Sequence, residues 1–437
     1  GRYLGGLRQG VRQVWLAVPN HGILSGRSGL ADLDRQFWTR EGSMTTEAVA
    51  GVQPANNKRF QTDRVTAMSA SHAVHDTYSA FLPPLLPAFV ESMSLTNTSA
   101  GLLTVFLTLP SLTQPFIGHL ADRVGLRWAV ILAPAVAGVT MSMLGIAPTY
   151  GVLVLLLLIA GTMSAALHAV GPVMTGRLSG NSLGRGMGFW MVGGELGRTL
   201  GPIIIVTGVG FLTLEGTPWL MIGGLVASAL LWVGLKDLSG RPAGSESGLH
   251  WKQALRKMWP FLLPLAAIIV VRAFMVSALT TYLPIFLHSE GATLWFAGIS
   301  LAVLEAAGVV GALLGGSLSD RVGRRWVLAV SLIITPVFMF VFLATSGWLR
   351  FPLLLLLGFT ALSVVPVIMA LVQESFPENR ALANGVYMAT SFILRSGAVL
   401  LLGMMGDTWG MRTAFLVSAV LPILGLPFLW LLPSRQH

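Results

Sequence analysis

The chain has 437 residues, 54% of them hydrophobic and 11% charged, with 28 Lys and Arg against 18 Asp and Glu for a formal charge of +10. A soluble domain carries charge on about a quarter of its residues, so a water-soluble globule is excluded and lipid must be the solvent for most of this chain. The absence of cysteine excludes disulfides, thiolate metal sites, iron–sulfur clusters and cysteine nucleophiles.

In chain order, residues 1–64 come first as an N-terminal extension without an apolar run. Arg2, Arg8, Arg12, Arg27, Arg35 and Arg40 punctuate it, and Met44 opens a short polar lead into the first apolar segment. Met44 is therefore the expected translation start, with residues 1–43 as upstream sequence read in frame; a disordered cytoplasmic tail is the alternative. From residue 65 onward twelve apolar spans are expected, at 65–90, 99–121, 127–147, 150–175, 184–210, 217–235, 258–287, 293–316, 326–346, 350–373, 382–405 and 411–432. Each is long enough to cross about 30 Å of hydrocarbon as a helix. The polar stretch 236–257 divides them into two six-helix bundles, 65–235 and 258–433.

Lys and Arg collect in alternate loops: Arg123 and Arg127, Arg177 and Arg185, the central loop, Arg321, Arg324 and Arg325, and Arg380. The other loops hold Arg350 and Arg412. By the positive-inside rule the first set and both termini are cytoplasmic, in an inner, multi-pass membrane location. The positive charge lies at the ends of membrane spans and not along one soluble face, so the lipid bilayer is the expected partner and nucleic acid is not.

The halves repeat each other. "GHLADRVGLRW" begins at Gly118 and "GSLSDRVGRRW" at Gly316, each after the second span of its half. Gly188 and Arg198 in span five match Gly385 and Arg395 in span eleven at nearly the same offset, as expected of duplicated halves. The loop phrase resembles the motif of the major facilitator superfamily. The second copy fits fully through Gly316, Asp320, Arg321, Gly323, Arg324 and Arg325. The first fits at Gly118, Asp122, Arg123, Gly125 and Arg127, with Leu126 in place of a basic residue. Glycine permits close approach, the aspartate accepts hydrogen bonds and the basic residues fix topology. The resemblance implies a cytoplasmic network that latches one conformation of a rocking transporter. "SHAVHDTY", "ALHAVGPVMTGRLSG", "VGGELGRTLGP" and "VQESFPENRALANG" are similar to the fosmidomycin-resistance group, which implies a proton-driven exporter of small anionic or amphiphilic drugs and a role in antibiotic resistance. Glu195 with Arg198, Glu305 and Arg395 depart from that group.

A charge at mid-bilayer costs roughly 2.5–3.5 kcal/mol on insertion scales, so each one needs a partner or a purpose. His72, Asp76 and Ser79 share a face of span one at i, i+4, i+7. Asp76, about 18 Å into the helix, is the first candidate for proton coupling, with His72 orienting it. Glu195, also a proton-coupling candidate, and Arg198 are spaced to pair on one helix. Glu305 has no local mate, so it is either a proton carrier or the partner of an arginine. Arg272 lies mid-way along span seven, which the superfamily implies is cavity-lining. It is expected to clamp an anionic group bidentately or to neutralise Asp76. Arg198, Arg395, His168 and Tyr282 complete the substrate-binding candidates. The glycines at 193, 197 and 201, followed by Pro202, form a strip suited to close helix contact. They match the antiporter motif of span five only in part, since "IIIV" replaces the glycine pair expected after the proline.

The fold expected is thus all-α, twelve transmembrane helices in two pseudo-symmetric bundles. The function expected is proton-coupled antiport, with a small solute and protons as partners, in a functional monomer. The alternative is uptake or exchange of an organic anion or phosphate ester without obligatory proton coupling. No H-E-x-x-H, nucleophile elbow or P-loop appears, so neither an enzyme nor an ATP-driven pump is expected, and no cofactor or metal centre.

Overall fold

With no water in a bilayer core, backbone N–H and C=O groups must bond within the segment, and apolar runs of this length become helices. The computed structural model describes residues 59–114, 116–117, 127–235, 251–376 and 380–432, and among them there is no strand. The expectations for residues 1–58, for Gly118, Asp122, Arg123 and Gly125, and for the central loop at 236–250 lie outside the described residues.

The first half comprises α1 (Thr62–Ser79), α2 (Leu82–Ser92), α3 (Asn97–Thr108), α4 (Arg127–Ser142), α5 (Tyr150–Leu178), α6 (Leu183–Leu212) and α7 (Met221–Leu235). The second comprises α8 (Trp251–Ser277), α9 (Leu283–Ser289), α10 (Leu294–Val322), α11 (Arg324–Ala344), α12 (Arg350–Leu362), α13 (Val364–Ser375), α14 (Arg380–Trp409), α15 (Met411–Val420) and the short α16 (Leu426–Leu429). Among the described residues, ten stretches are long and apolar enough to cross a membrane. The first two expected spans fall short of that measure for visible reasons. Span one is interrupted at Ala80–Phe81, where Pro83 and Pro84 begin α2, because proline fits a helix's first turn and not its interior. It also carries His72, His75 and Asp76. Span two continues from α3 as a tighter turn, Leu109–Thr113, around Pro110. Thr96, Thr149 and Thr293 cap α3, α5 and α10, their hydroxyls accepting from the backbone N–H three residues on.

The two halves meet through α6 against α10, α3 against α14, and α2 against α9 and α10. Among the described residues, the apolar core is continuous across both halves at one end only. There Leu82, Leu86 and Phe89 of the first half pack in one cluster with Leu283, Phe286 and Phe415 of the second. Toward the end bearing the Arg324 motif, the core splits in two. One cluster, around Met68, Ile131, Leu167 and Trp190, belongs wholly to the first half. The other, around Ile268, Leu332, Ile368 and Tyr387, belongs wholly to the second.

Polar links close the shared end. Asp407 at the end of α14 accepts from Asn97 N (2.6 Å), Thr98 N (3.0 Å) and Thr98 Oγ1 (2.5 Å) at the start of α3. His288 Nε2 lies 2.8 Å from Glu91 Oε1. Arg350 and Arg412, the arginines at this end, are both committed to Glu290.

Candidate functional site

The glycine strip of α6 makes contact where the sequence predicts it. A Cβ at Gly193 would lie 2.4 Å from the Ser69 carbonyl oxygen, at Gly197 2.4 Å from that of Ala73, and at Gly201 2.4 Å from that of Thr77. Only glycine allows α1 and α6 to lie this close. Gly194, beside the strip, leaves room for His72: a Cβ there would sit 2.4 Å from its imidazole Cε1.

His72 is thereby fixed on every side. Its ring stacks on Trp190, centroids 4.0 Å apart, and its Nδ1 lies 2.9 Å from the Trp190 carbonyl oxygen. Its Nε2 is 3.3 Å from Asp76 Oδ2 and 3.2 Å from His168 Nε2. His168 comes from α5, with Nδ1 2.9 Å from the Ser164 carbonyl oxygen and Nε2 3.8 Å from Asp76 Oδ1. Carbonyl oxygens only accept, so each Nδ1 carries the proton in the neutral ring and each Nε2 presents a lone pair. His168, expected among the substrate-binding candidates, is placed against the proton-coupling candidates His72 and Asp76. Ser79, expected on the Asp76 face, bonds His75 instead, with Oγ 3.3 Å from its Nε2. Donor atoms of His72, Asp76 and His168 all lie within 4.8 Å of one another. The sequence, with its histidines scattered, gives no sign of such a three-donor cluster.

A second constellation crosses between the halves at mid-helix depth. Arg198 of α6 pairs with Glu195 one turn back, and its Nε lies 3.8 Å from Glu305 Oε2 of α10. Glu305 is therefore the mate of an arginine on the opposite half. The Arg198 side chain is 46% exposed while Glu195 and Glu305 are 14% and 12%, so the guanidinium is the open member of the three although it lies near the middle of a 30-residue helix. Arg395, its counterpart in α14, donates to Thr280 Oγ1 at 2.8 Å. No described carboxylate lies within ion-pair distance of Arg395.

Two expected solute ligands stand elsewhere. Arg272 is buried inside the second half, donating to the Ala361 carbonyl oxygen at 2.7 Å, and it pairs with no described carboxylate; the expected neutralisation of Asp76 does not occur. Tyr282 is fully buried at the shared end, its hydroxyl donating to Val399 O at 2.7 Å. It belongs to the closure between halves. For Tyr282 the cause is local: it ends the π turn Ala278–Tyr282, whose extra residue changes the helix rotation there.

In the second loop motif, Arg324 holds the network. It pairs with Asp320 (2.5 Å) and Glu374 (2.8 Å) and donates to Ser319 Oγ and the Gly316 carbonyl. All of these partners belong to the second half, so among the described residues the network braces α10, α11 and α13 and does not cross between halves. Gly323 has φ +97°, a conformation that favours glycine. Gly316, expected to allow close approach, faces open space. Arg321 is exposed and Arg325 half-buried. Arg127 of the first copy starts α4 with its guanidinium 5.5 Å from the Trp128 ring centroid.

The profile of the Major Facilitator Superfamily matches residues 68–399 and 297–437. The chain belongs to that superfamily. This facilitator is 23% identical over 402 residues to the fosmidomycin resistance protein of Escherichia coli K12, covering 90% of this chain and 98% of that protein. It is 26% identical over 379 residues to YfnC, an uncharacterized MFS-type transporter of Bacillus subtilis 168, covering 84% and 91%. A bacterial homologue of the human lysosomal transporter Spinster, solved in an inward-facing, unoccupied conformation, superposes with a TM-score of 0.73 at 16% identity over 87% of this chain and 97% of that one. The facilitator fold is thereby shown: a multi-pass helical membrane transporter.

Sequence reasoning missed Trp190 and Asp407. Trp190 shares a helical face with Gly194, Gly197 and Gly201, and that spacing carries the signal. Asp407 near a helix end has no such signal, because its partners lie 309 and 310 residues away.

Proposed function

We propose that this facilitator is an efflux transporter of the cytoplasmic membrane that exchanges protons for a small anionic or amphiphilic solute by alternating access. The observation that carries the reading is the Glu195–Arg198–Glu305 chain, a set of charges near the middle of its helices that joins the two halves. The motif-bearing end, which the arginine distribution assigns to the cytoplasm, is the end where the core is split, so the solute enters from the inside. Similarity to a fosmidomycin resistance protein supports export as the direction.

Glu305 is the proton carrier in this scheme. Unloaded, the Arg198–Glu305 pair ties α6 to α10 and resists rocking. A proton on Glu305 removes that tie, and so does a solute that inserts its own polar groups between the two. Arg395, which faces Glu305 without a close ion pair, receives the anionic group of the solute. The sign of coupling follows from chemistry. A solute that donates a hydrogen bond to Glu305 is expelled when the carboxylate is protonated, which is exchange. A bare anion that touches only arginines would bind better beside protonated Glu305 and travel with the proton.

The test uses inverted vesicles with an acid interior and fosmidomycin as probe. Fosmidomycin should trigger proton efflux in the unaltered protein. Glu305→Gln should abolish the proton movement, and Arg395→Ala should raise the half-saturating concentration at least tenfold, a loss of about 1.4 kcal/mol. An Arg395 with no described carboxylate mate also favours the alternative, anion exchange without obligatory protons. That reading takes over if fosmidomycin transport survives Glu305→Gln and fails in Arg395→Ala.

A further inference from the structure

We propose that His72, Asp76 and His168 form a binding site for one divalent transition-metal ion of the zinc class, held by the two imidazole Nε2 atoms and one carboxylate oxygen. This goes beyond the transport reading and does not depend on it.

Geometry argues first. Zinc takes His nitrogen at about 2.0–2.1 Å in tetrahedral sites, so neighbouring ligand atoms in such a site stand about 3.3–3.4 Å apart. The distance between the two Nε2 atoms is 3.2 Å and that from His72 Nε2 to Asp76 Oδ2 is 3.3 Å. The third edge, His168 Nε2 to Asp76 Oδ1, is 3.8 Å. A small rotation of the carboxylate about its last bond lets one oxygen serve both edges.

The surroundings argue second. Metal-ligating histidines donate their other ring N–H to a carbonyl or carboxylate, which sets the tautomer and aims the free nitrogen at the metal. Both histidines do so here, His72 to Trp190 O and His168 to Ser164 O, each at 2.9 Å. The Nε2 lone pairs then converge on one point beside an anionic oxygen, an arrangement that a cation stabilises. His72 is further locked by the Trp190 stack and the absence of a side chain at Gly194. Arg198 is the nearest competing positive charge, and it is already neutralised by Glu195 and Glu305.

Ligand type selects the ion. Two imidazoles and one carboxylate suit zinc, cobalt or nickel, whereas magnesium and calcium take oxygen ligands in higher number. Three protein ligands leave a fourth position open. His168 is 33% exposed against 6% for His72 and 8% for Asp76, so access lies on the His168 side, where a water or an anionic oxygen of a solute completes the shell.

The test uses the purified full chain without a polyhistidine tag, titrated with Zn²⁺ by calorimetry and with Co²⁺ by visible spectroscopy. One equivalent of each should bind, and Co²⁺ should give the intense visible bands of four-coordinate cobalt. Affinity should fall at least about tenfold in both His168→Ala and Asp76→Asn. His168 is partly exposed, so its alanine variant keeps the test valid if Asp76→Asn does not fold. Zn²⁺ should also raise the unfolding temperature of the unaltered protein and not of His168→Ala. Absence of stoichiometric binding would overturn the proposal, as would equal affinity in the unaltered protein and His168→Ala, which would place the metal on the other histidines.

Discussion

Two glycines of one helix show how far a single missing side chain decides this structure. Gly188 and Gly197 both lie in α6, but a Cβ at Gly188 meets nothing within 4 Å, whereas at Gly197 it meets the Ala73 carbonyl oxygen at 2.4 Å and Asp76 Cβ at 2.8 Å. The obstruction at Gly197 is backbone of α1 and cannot swing away. Gly197→Ala should therefore cost about 1–3 kcal/mol as an overpacked contact and impair transport by prising α1 from α6. Gly188→Ala should be neutral or stabilising by up to about 1 kcal/mol, since alanine is the better helix former. Thermal unfolding of the two purified variants in the same detergent checks the pair; equal losses would mean that the close approach of α1 to α6 is not what Gly197 secures. The period-four glycine strip made this contact legible in the sequence. The three-donor cluster beside it was not, because His168 comes from another helix, and only packing shows which residues two helices bring together.

At the scale of elements, the Arg324 network is a brace between helix ends, and a brace is measured by coupling. Arg324 is 12% exposed and Glu374 47%, so their ion pair is screened on one side by solvent and is worth about 0.5–1 kcal/mol. Arg324→Ala and Glu374→Gln should each destabilise the protein, and their combination should cost less than the sum by that amount. An additive result from denaturant unfolding would show that the ends of α11 and α13 are held by packing alone. The duplicated motif, the helical class and the pairing of Glu195 with Arg198 could all be read from spacing along the chain. The surroundings of Arg272 and Tyr282 could not. Their span is apolar on nearly all sides, so periodicity does not fix its rotation, and the π turn at Ala278–Tyr282 adds a residue that no pattern announces. Arg272, ahead of that turn, faces the Ala361 carbonyl inside its own half, and Tyr282, within it, faces the closure.

For the molecule as a whole, the proposed alternating access makes the split core at one end and the shared core at the other one of two states. Transport requires the shared end to part, so the links there must be few and reversible. Asp407 supplies three of them, each a charged acceptor on the first turn of α3, where the helix dipole also favours an anion. Hydrogen bonds to a charged group are worth about 1.5–3 kcal/mol when buried, but these are exposed, so about 1–2 kcal/mol for the set is the reasonable scale. Asp407→Asn should then raise the population of molecules open at that end by roughly 5–30-fold. The chain contains no cysteine, which makes the measurement clean: spin labels on Ser92→Cys and Trp409→Cys, one in each half at this end, report the separation directly. Asp407→Asn should add or enlarge a long-distance population relative to the unaltered background. An unchanged distribution would assign the closure to the apolar cluster of Leu86, Phe89, Leu283 and Phe286 and reduce Asp407 to a cap on α3.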